Sequence, residues 1–130
     1  MGLVGGGGRN VLIGGLGGDR IEGLGGDDLI IGGRTAFDAD PDQLRLILTE
    51  WKSTRTYDQR IANLTGVGTV DRANAGVFLR NTPDDTIFGD DEALDELLGG
   101  SGRDWFFAEI EDQLLDRVSL GSNSERVDRS

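Results

Sequence analysis

Cysteine and histidine are both missing from the 130 residues. Their absence removes disulfides, thiolate zinc sites, Cys or His nucleophiles and the imidazole base that most hydrolases use. Catalysis would have to run on carboxylates alone, as in glycoside hydrolysis. No aromatic cluster suits a sugar-sized cleft, so the chain is expected not to be an enzyme. Positive charge is scarce too: 13 Lys and Arg stand against 24 Asp and Glu, a net of −11. That balance repels nucleic acid and anionic membrane surfaces and attracts metal cations. No apolar run is long enough to span a bilayer, so membrane insertion is not expected. Met1-Gly2-Leu3-Val4 lacks the basic start and apolar core of a signal peptide. Met1 directly before a glycine run is the expected start of a fragment, the end of a longer protein. Neither a G-x-G-x-x-G nor a G-x-x-x-x-G-K-[ST] phosphate loop occurs.

What is present is glycine, unevenly placed: residues 1–35 hold 14 of the 22. Gly5, Gly14, Gly23 and Gly32 open blocks of nine: GGGGRNVLI (5–13), GGLGGDRIE (14–22), GLGGDDLII (23–31) and GGRTAFDAD (32–40). The second block fits G-G-x-G-x-D-x-U-x, with U a large apolar residue, at every defined position. The first departs at Asn10 and the third at Leu24. The fourth keeps Gly32-Gly33 and then fails, with Phe37 in the Asp place. GGSGRDWFF (99–107) is a second full match, Asp95-Glu96-Leu97 keeps the D-x-U core nine residues earlier, and Asp85-Thr86-Ile87 does so with one extra residue of spacing.

These blocks resemble the hemolysin-type calcium-binding repeats of the RTX (repeats-in-toxin) family. The resemblance covers residues 5–33 well and 85–107 in part. It implies a mainly β fold, a right-handed parallel β-roll or β-solenoid, in which G-G-x-G-x-D is a turn and x-U-x a short strand. Two nonapeptides then make one coil, and Ca2+ sits between stacked turns. The implied metal ligands are the side chains of Asn10, Asp19 and Asp28 with turn carbonyls of Gly6, Gly8, Gly15, Gly17 and Gly26. Toward the C-terminus they are Asp85, Asp95 and Asp104, the last accompanied by Gly100 and Gly102. Asn10 and Leu24 both lower the affinity expected of the first site.

The physical chemistry agrees with the pattern. Glycine permits positive φ and brings carbonyls close to a cation, and Asp supplies a hard anionic oxygen. Ordering such a segment costs roughly 1–2 kcal/mol per residue in backbone entropy. The inward residues Leu12, Ile21 and Ile30 return roughly 1.5–3 kcal/mol each. Metal or a neighbouring domain has to supply the rest. A flexible linker is the competing reading, but linkers carry no fixed Asp and Ile positions.

With two repeats per coil, Asn10 and Asp28 share one row of turns. Asp19 lies in the other, with the failed turn ending at Phe37 as its next neighbour. Strand faces alternate. Val11, Ile13, Leu29 and Ile31 therefore point outward on one sheet, which needs a cover, whereas Arg20 and Glu22 on the other should meet water. Phe88, Trp105 and Phe107 are likewise expected outward and covered.

The segmentation expected is residues 1–37 as calcium-binding repeats, 38–66 as a helical hairpin inserted into or capping the roll, and 67–130 as a strand region with degenerate repeats and an acidic tail. Asp40 can cap a helix with Pro41 at its first position, and Leu44, Ile47, Leu48 and Trp51 follow at helical spacing. Tyr57, Ile61 and Leu64 form a second stripe. Val77-Phe78-Leu79 is the apolar run of an expected loop and strand. Asp38-Ala39-Asp40-Pro41-Asp42 imitates half of an EF-hand loop, but Gln43 and Thr49 stand where Gly and Glu are needed, so helix capping is the stronger reading. Asp84, Asp85, Asp90, Asp91, Glu92, Asp95 and Glu96 form an acidic cluster, read as a solvated loop unless the roll's ligand positions recruit its members. Whether 85–107 continues the same roll as 5–33 stays open at this point, as does the number of sites.

The function expected is a calcium-binding module of an extracellular protein. It would fold on calcium outside the cell, in a structural, export-supporting or adhesive role, attached to the remainder of a larger secreted polypeptide and in contact with type I secretion machinery. The alternatives are the accessory tail of a secreted hydrolase whose catalytic domain lies elsewhere, and a surface or filament subunit that self-associates through roll ends.

Overall fold

Three-residue apolar-centred triplets separated by glycine-rich turns have room for short strands only, and short strands are what form. A computed structural model describes residues 2–15, 17–68, 71–80, 86–88, 95–100, 102–108, 113–114 and 126–129. The repeats give β1 (Gly2–Val4), β2 (Val11–Ile13), β3 (Arg20–Glu22) and β4 (Leu29–Ile31). An excursion follows: β5 (Arg34–Thr35), α1 (Pro41–Trp51), α2 (Tyr57–Thr65) and β6 (Ile87–Phe88). The repeat pattern then resumes as β7 (Glu96–Leu98) and β8 (Trp105–Ala108), with β9 (Gln113–Leu114) and β10 (Arg126–Arg129) beyond.

Strands β1, β3, β7 and β9 form one sheet in that order, and β2, β4, β8 and β10 another. Every pairing in both is parallel. Along the chain these eight strands fall alternately in the two sheets. Strands β7 and β8 therefore continue the sheets begun by the first repeats: Arg20 pairs with Glu96, and Leu29 with Trp105. Mainly strand content, parallel sheets and two helices match the sequence reading.

Alternation sorts the side chains. Ile21, Ile30, Leu97 and Phe106, all at 0% exposure, fill the space between the sheets, with Leu3, Leu12 and Val127 at its margin. Outside the second sheet, Leu29, Ile31, Trp105 and Phe107 are buried beneath Ile47, Trp51, Tyr57, Ile61 and Leu64 of the helices. Trp51 and Trp105 meet with ring centroids 5.9 Å apart. The outer face of the first sheet carries Arg20 ion-paired to Glu22 (3.0 Å) and Glu96 (2.7 Å), in water, where such pairs contribute little. The expected covered face and solvated face are both present.

The helices start where their capping chemistry lies. The Asp40 side chain accepts from the Gln43 amide at 3.2 Å with Pro41 at the first helical position. Thr56 and Gln59 form a reciprocal capping box, and Gly66 ends α2 at φ 87. Asp38 accepts from the amide and hydroxyl of Thr35, while Asp42 pairs on the surface with Arg45. The EF-hand-like acids thus serve a turn, a cap and a surface pair. Between the helices Glu50 is fully buried and accepts from Arg55 (2.7 and 2.8 Å) and the Ala73 amide (2.8 Å). Burial opposes its ionisation, but Arg55, Ala73 and Asn63 outweigh that and hold its carboxyl below the ordinary range.

Three details differ from expectation. Ile87–Phe88 does not form a coil of the sheets; it pairs antiparallel with β5, because the chain has not yet returned from the excursion. Phe88 is accordingly exposed at 38% and not covered, with Arg34 against its ring. Val77 and Leu79 are buried in the helical core without forming a strand: apolar content put them inside, and irregular backbone with Asn74 as a local hydrogen-bond hub holds them there.

Candidate metal centre

The turns joining the strands are stacked in register. In the row that feeds β2, β4 and β8, the described turn residues are 5–10, 23–28, 99–100 and 102–104. Left-handed backbone recurs at the second and fourth places of the nonapeptide: Gly8, Gly15, Gly17, Leu24, Gly26, Gly100 and Gly102 all have positive φ. Six are glycine, which takes this conformation without penalty. Leu24, at φ 68, is the strained exception. At these places the turns approach so closely that a β-carbon on Gly26 would collide with the Gly8 carbonyl, one on Gly100 with that of Leu24, and one on Gly102 with that of Gly26.

The sixth-place side chains form ladders along the stack. Asp28 Oδ1 accepts from the Asn10 amide (2.9 Å), and Asp104 Oδ1 accepts from the Asp28 amide (2.7 Å). In the other row Asp95 Oδ1 accepts from the Asp19 amide (2.7 Å). Asp19, Asp28, Asp95 and Asp104 are all buried. Asp19 was expected beside the failed fourth repeat. Its neighbour is Asp95 instead, because the chain leaves the sheets after Gly33 and re-enters beside β3.

The second oxygen of Asp28 lies at full burial with no hydrogen-bond partner. Burial pushes this carboxyl up to about 6, against the side-chain and backbone hydrogen bonds from Asn10, which lower it. A desolvated anionic oxygen among turn carbonyls is a site for a hard cation. Among the described residues no three Asp, Glu, His or Cys side chains converge. A metal here must draw on carbonyl oxygens, and calcium is the ion that uses a mixed set of carboxylate and carbonyl oxygens. Two turn pairs carry an acid on both sides, Asp28 with Asp104 and Asp19 with Asp95, and in the first pair the Leu24 and Gly26 carbonyls face the next turn. Carboxylate and carbonyl oxygens together are the donor chemistry that suits calcium.

Of the residues singled out from the sequence, the structure brings Asn10, Asp28 and Asp104 into one ladder with Gly6, Gly8, Gly26, Gly100 and Gly102 around them. Asp19 and Asp95 stand in the other row with Gly15 and Gly17. Asp85 lies outside the described residues, as do Asp84, Asp90, Asp91 and Glu92 of the acidic cluster. Gly6 and Gly8 have another partner: their carbonyls accept from the Asn10 side chain.

Two sets of residues escaped the sequence reading. The first is the opening glycine of each block. A β-carbon on Gly14 would lie 2.9 Å from Asp19 Oδ2, and one on Gly23 or Gly99 would collide with Asp28 or Asp104. The carboxylate folds over this glycine, and the strict period at Gly5, Gly14 and Gly23 was the available signal. The second is the fifth place, Arg9, Asp27 and Arg103, which docks the helices. Arg9 donates to the Ser53 carbonyl (2.6 Å), and the Trp51 indole donates to the Asp27 carbonyl (2.9 Å). Arg103 lies 4.1 Å from the Tyr57 ring centroid. Arg60, 1% exposed, donates to Asp27 Oδ2 and the Trp51 carbonyl, both at 3.0 Å. Burial lowers its pKa, with Asp27 opposing. Tyr57 donates to the Asp104 carbonyl at 2.7 Å. One helical hairpin thus grips all three turns of one row.

Two parallel sheets joined by stacked glycine turns with an acid ladder define a repeat architecture. Residues 4–35 match the family model of the RTX calcium-binding nonapeptide repeat (4 copies). The match ends at Thr35; the further repeats at 95–108 rest on strand register and turn geometry. No curated protein matches the chain, and no solved structure does either.

Proposed function

We propose that this chain is a calcium-binding β-roll module of a secreted protein, a right-handed solenoid that folds on calcium outside the cell and serves a structural, export-supporting or adhesive role. The observation that carries this reading is the buried, unpartnered Oδ2 of Asp28 in a stack of glycine turns. Calcium, once bound, neutralises the acid ladder and ties adjacent turns together. Asp28, Asp104 and the Leu24 and Gly26 carbonyls would hold one ion, and Asp19 and Asp95 with their turn carbonyls another. The hairpin orients one row, and the inward Ile, Leu and Phe residues exclude water from the floor of the turns. The role is binding and support, without catalysis.

Sites of extracellular type bind calcium at about 10⁻⁴–10⁻³ M. At calcium tenfold above such a constant, each site adds about 1.4 kcal/mol of stability. An increment of that size suits a fold that stays loose before export. Far-UV circular dichroism during a calcium titration tests this, with magnesium as control and Asp19→Ala/Asp28→Ala alongside. A calcium-specific gain of β signal, weakened in the variant, is expected. Full signal in chelator with no response to calcium would sink the folding switch and leave a metal-independent solenoid.

A further inference from the structure

The first turn pair of the hairpin-bound row is filled by a side chain. Asn10 Nδ2 donates to Asp28 Oδ1 (3.0 Å), to the Gly6 carbonyl (3.0 Å) and, more weakly, to the Gly8 carbonyl (3.4 Å). All three partners accept only, so the amide nitrogen, and not its oxygen, must face them. These are the oxygens that the repeat pattern would turn toward a metal. With Asp in this place, a further anionic oxygen would join them, and such an arrangement requires a cation. Asn supplies two polarised hydrogens at the same spot and carries no charge.

We propose that Asn10 is a built-in replacement for calcium. The turn pair 5–10/23–28 is closed by the amide and takes no metal. Calcium is confined to the pairs with an acid on both sides, Asp28–Asp104 and Asp19–Asp95. This extends the calcium reading above and rests on it for those two pairs. It also reverses the expectation that Gly6, Gly8 and Asn10 ligate metal. The first coil is then ordered without calcium and offers a template on which the metal-dependent coils close.

Isothermal titration calorimetry with calcium chloride on the wild type and Asn10→Asp tests the proposal. The variant is expected to bind one more calcium per chain. If the wild type binds calcium and Asn10→Asp binds no more, the amide replacement is overturned and the calcium reading survives. If the wild type binds none and Asn10→Asp binds one, the replacement stands and the calcium reading of the wild type falls. If neither binds, both fall. Asn10→Ala guards against a misfolded Asp variant. Its Tm should drop by about 5 °C in chelator and by the same amount in saturating calcium. A deficit seen only with calcium would make Asn10 a ligand and refute the proposal.

Discussion

Gly7→Ala and Gly23→Ala make one chemical change at two places in the same glycine-rich stretch, with opposite expected results. A β-carbon at Gly7 meets nothing within 4 Å, and the backbone there lies outside the left-handed region. The substitution restricts the unfolded chain and should stabilise by about 0.5 kcal/mol. At Gly23 the new carbon would collide with Asp28 Oδ2 and lie 2.9 Å from the Gly99 carbonyl. One obstacle is backbone, and the other is a buried carboxylate that accepts from Asn10 twice. Overpacking costs about 1–3 kcal/mol, and rotating the carboxylate away forfeits two hydrogen bonds of about 1 kcal/mol or more each. A loss of about 4 kcal/mol follows, close to three decades in the folding constant. Urea unfolding in chelator and in calcium measures both variants. A Gly23→Ala that fails to fold beside a folded Gly7→Ala is the same result in stronger form. Equal stability of the two would show that no carboxylate is seated on Gly23, and the segment would behave as a linker.

Leu24→Gly should stabilise by roughly 0.5–1 kcal/mol by relieving a non-glycine residue at φ 68; denaturant midpoints check it, and a loss of stability would refute it. Arg60→Met should cost about 2–3 kcal/mol by removing the charged hydrogen bonds to Asp27 Oδ2 and the Trp51 carbonyl, read as a lower Tm and an earlier loss of near-UV Trp signal. An unchanged Tm would mean the hairpin is not held through the turns. Asp28 titrates at about 6 in the fold against 3.8 ordinarily, so between those values the folded state binds more protons than the unfolded. Metal-free stability should therefore rise as pH falls from 7 to 5, approaching a gain of at most about 3 kcal/mol near pH 4. With saturating calcium, which requires the anion, the trend should reverse. Thermal scans at pH 7 and 5 in chelator decide, and a Tm that falls on acidification contradicts the assignment.

The nonapeptide frame made the strands, the inward row of Leu12, Ile21 and Ile30, and the contrast between the Val11/Leu29 face and the Arg20/Glu22 face legible before any coordinates. Asp40-Pro41 and the stripe through Trp51 placed the helices for the same reason: period and capping are local chemistry. The partner of Asp19 was not legible. It comes from Asp95, and nothing near residue 19 records where the chain re-enters. Phe88 misled because D-x-U survives in residues 85–87 while the backbone runs antiparallel to β5. The fifth place carries Arg9, Gly18 and Asp27 in the first three blocks and Arg103 in the block 99–107, and the three charged ones are those that the hairpin lies across.

Within the first repeats, ladder neighbours such as Asn10 and Asp28 are separated by 18 residues, whereas Asp28 and Asp104 are separated by 76. The ladder does not register the difference: the hydrogen bond across the longer gap measures 2.7 Å. Closing the longer loop costs only about 1.3 kcal/mol more, since the entropy grows with the logarithm of length. Parallel sheets built from stacked repeats can therefore host a spliced-in passenger between two repeats with little thermodynamic consequence, provided the entry and exit lie side by side. The consequence falls on order of events instead. Turns on the near side meet across a short stretch of chain, whereas Asp28 and Asp104 must meet across a long one, and the hairpin between them in sequence contacts both turns.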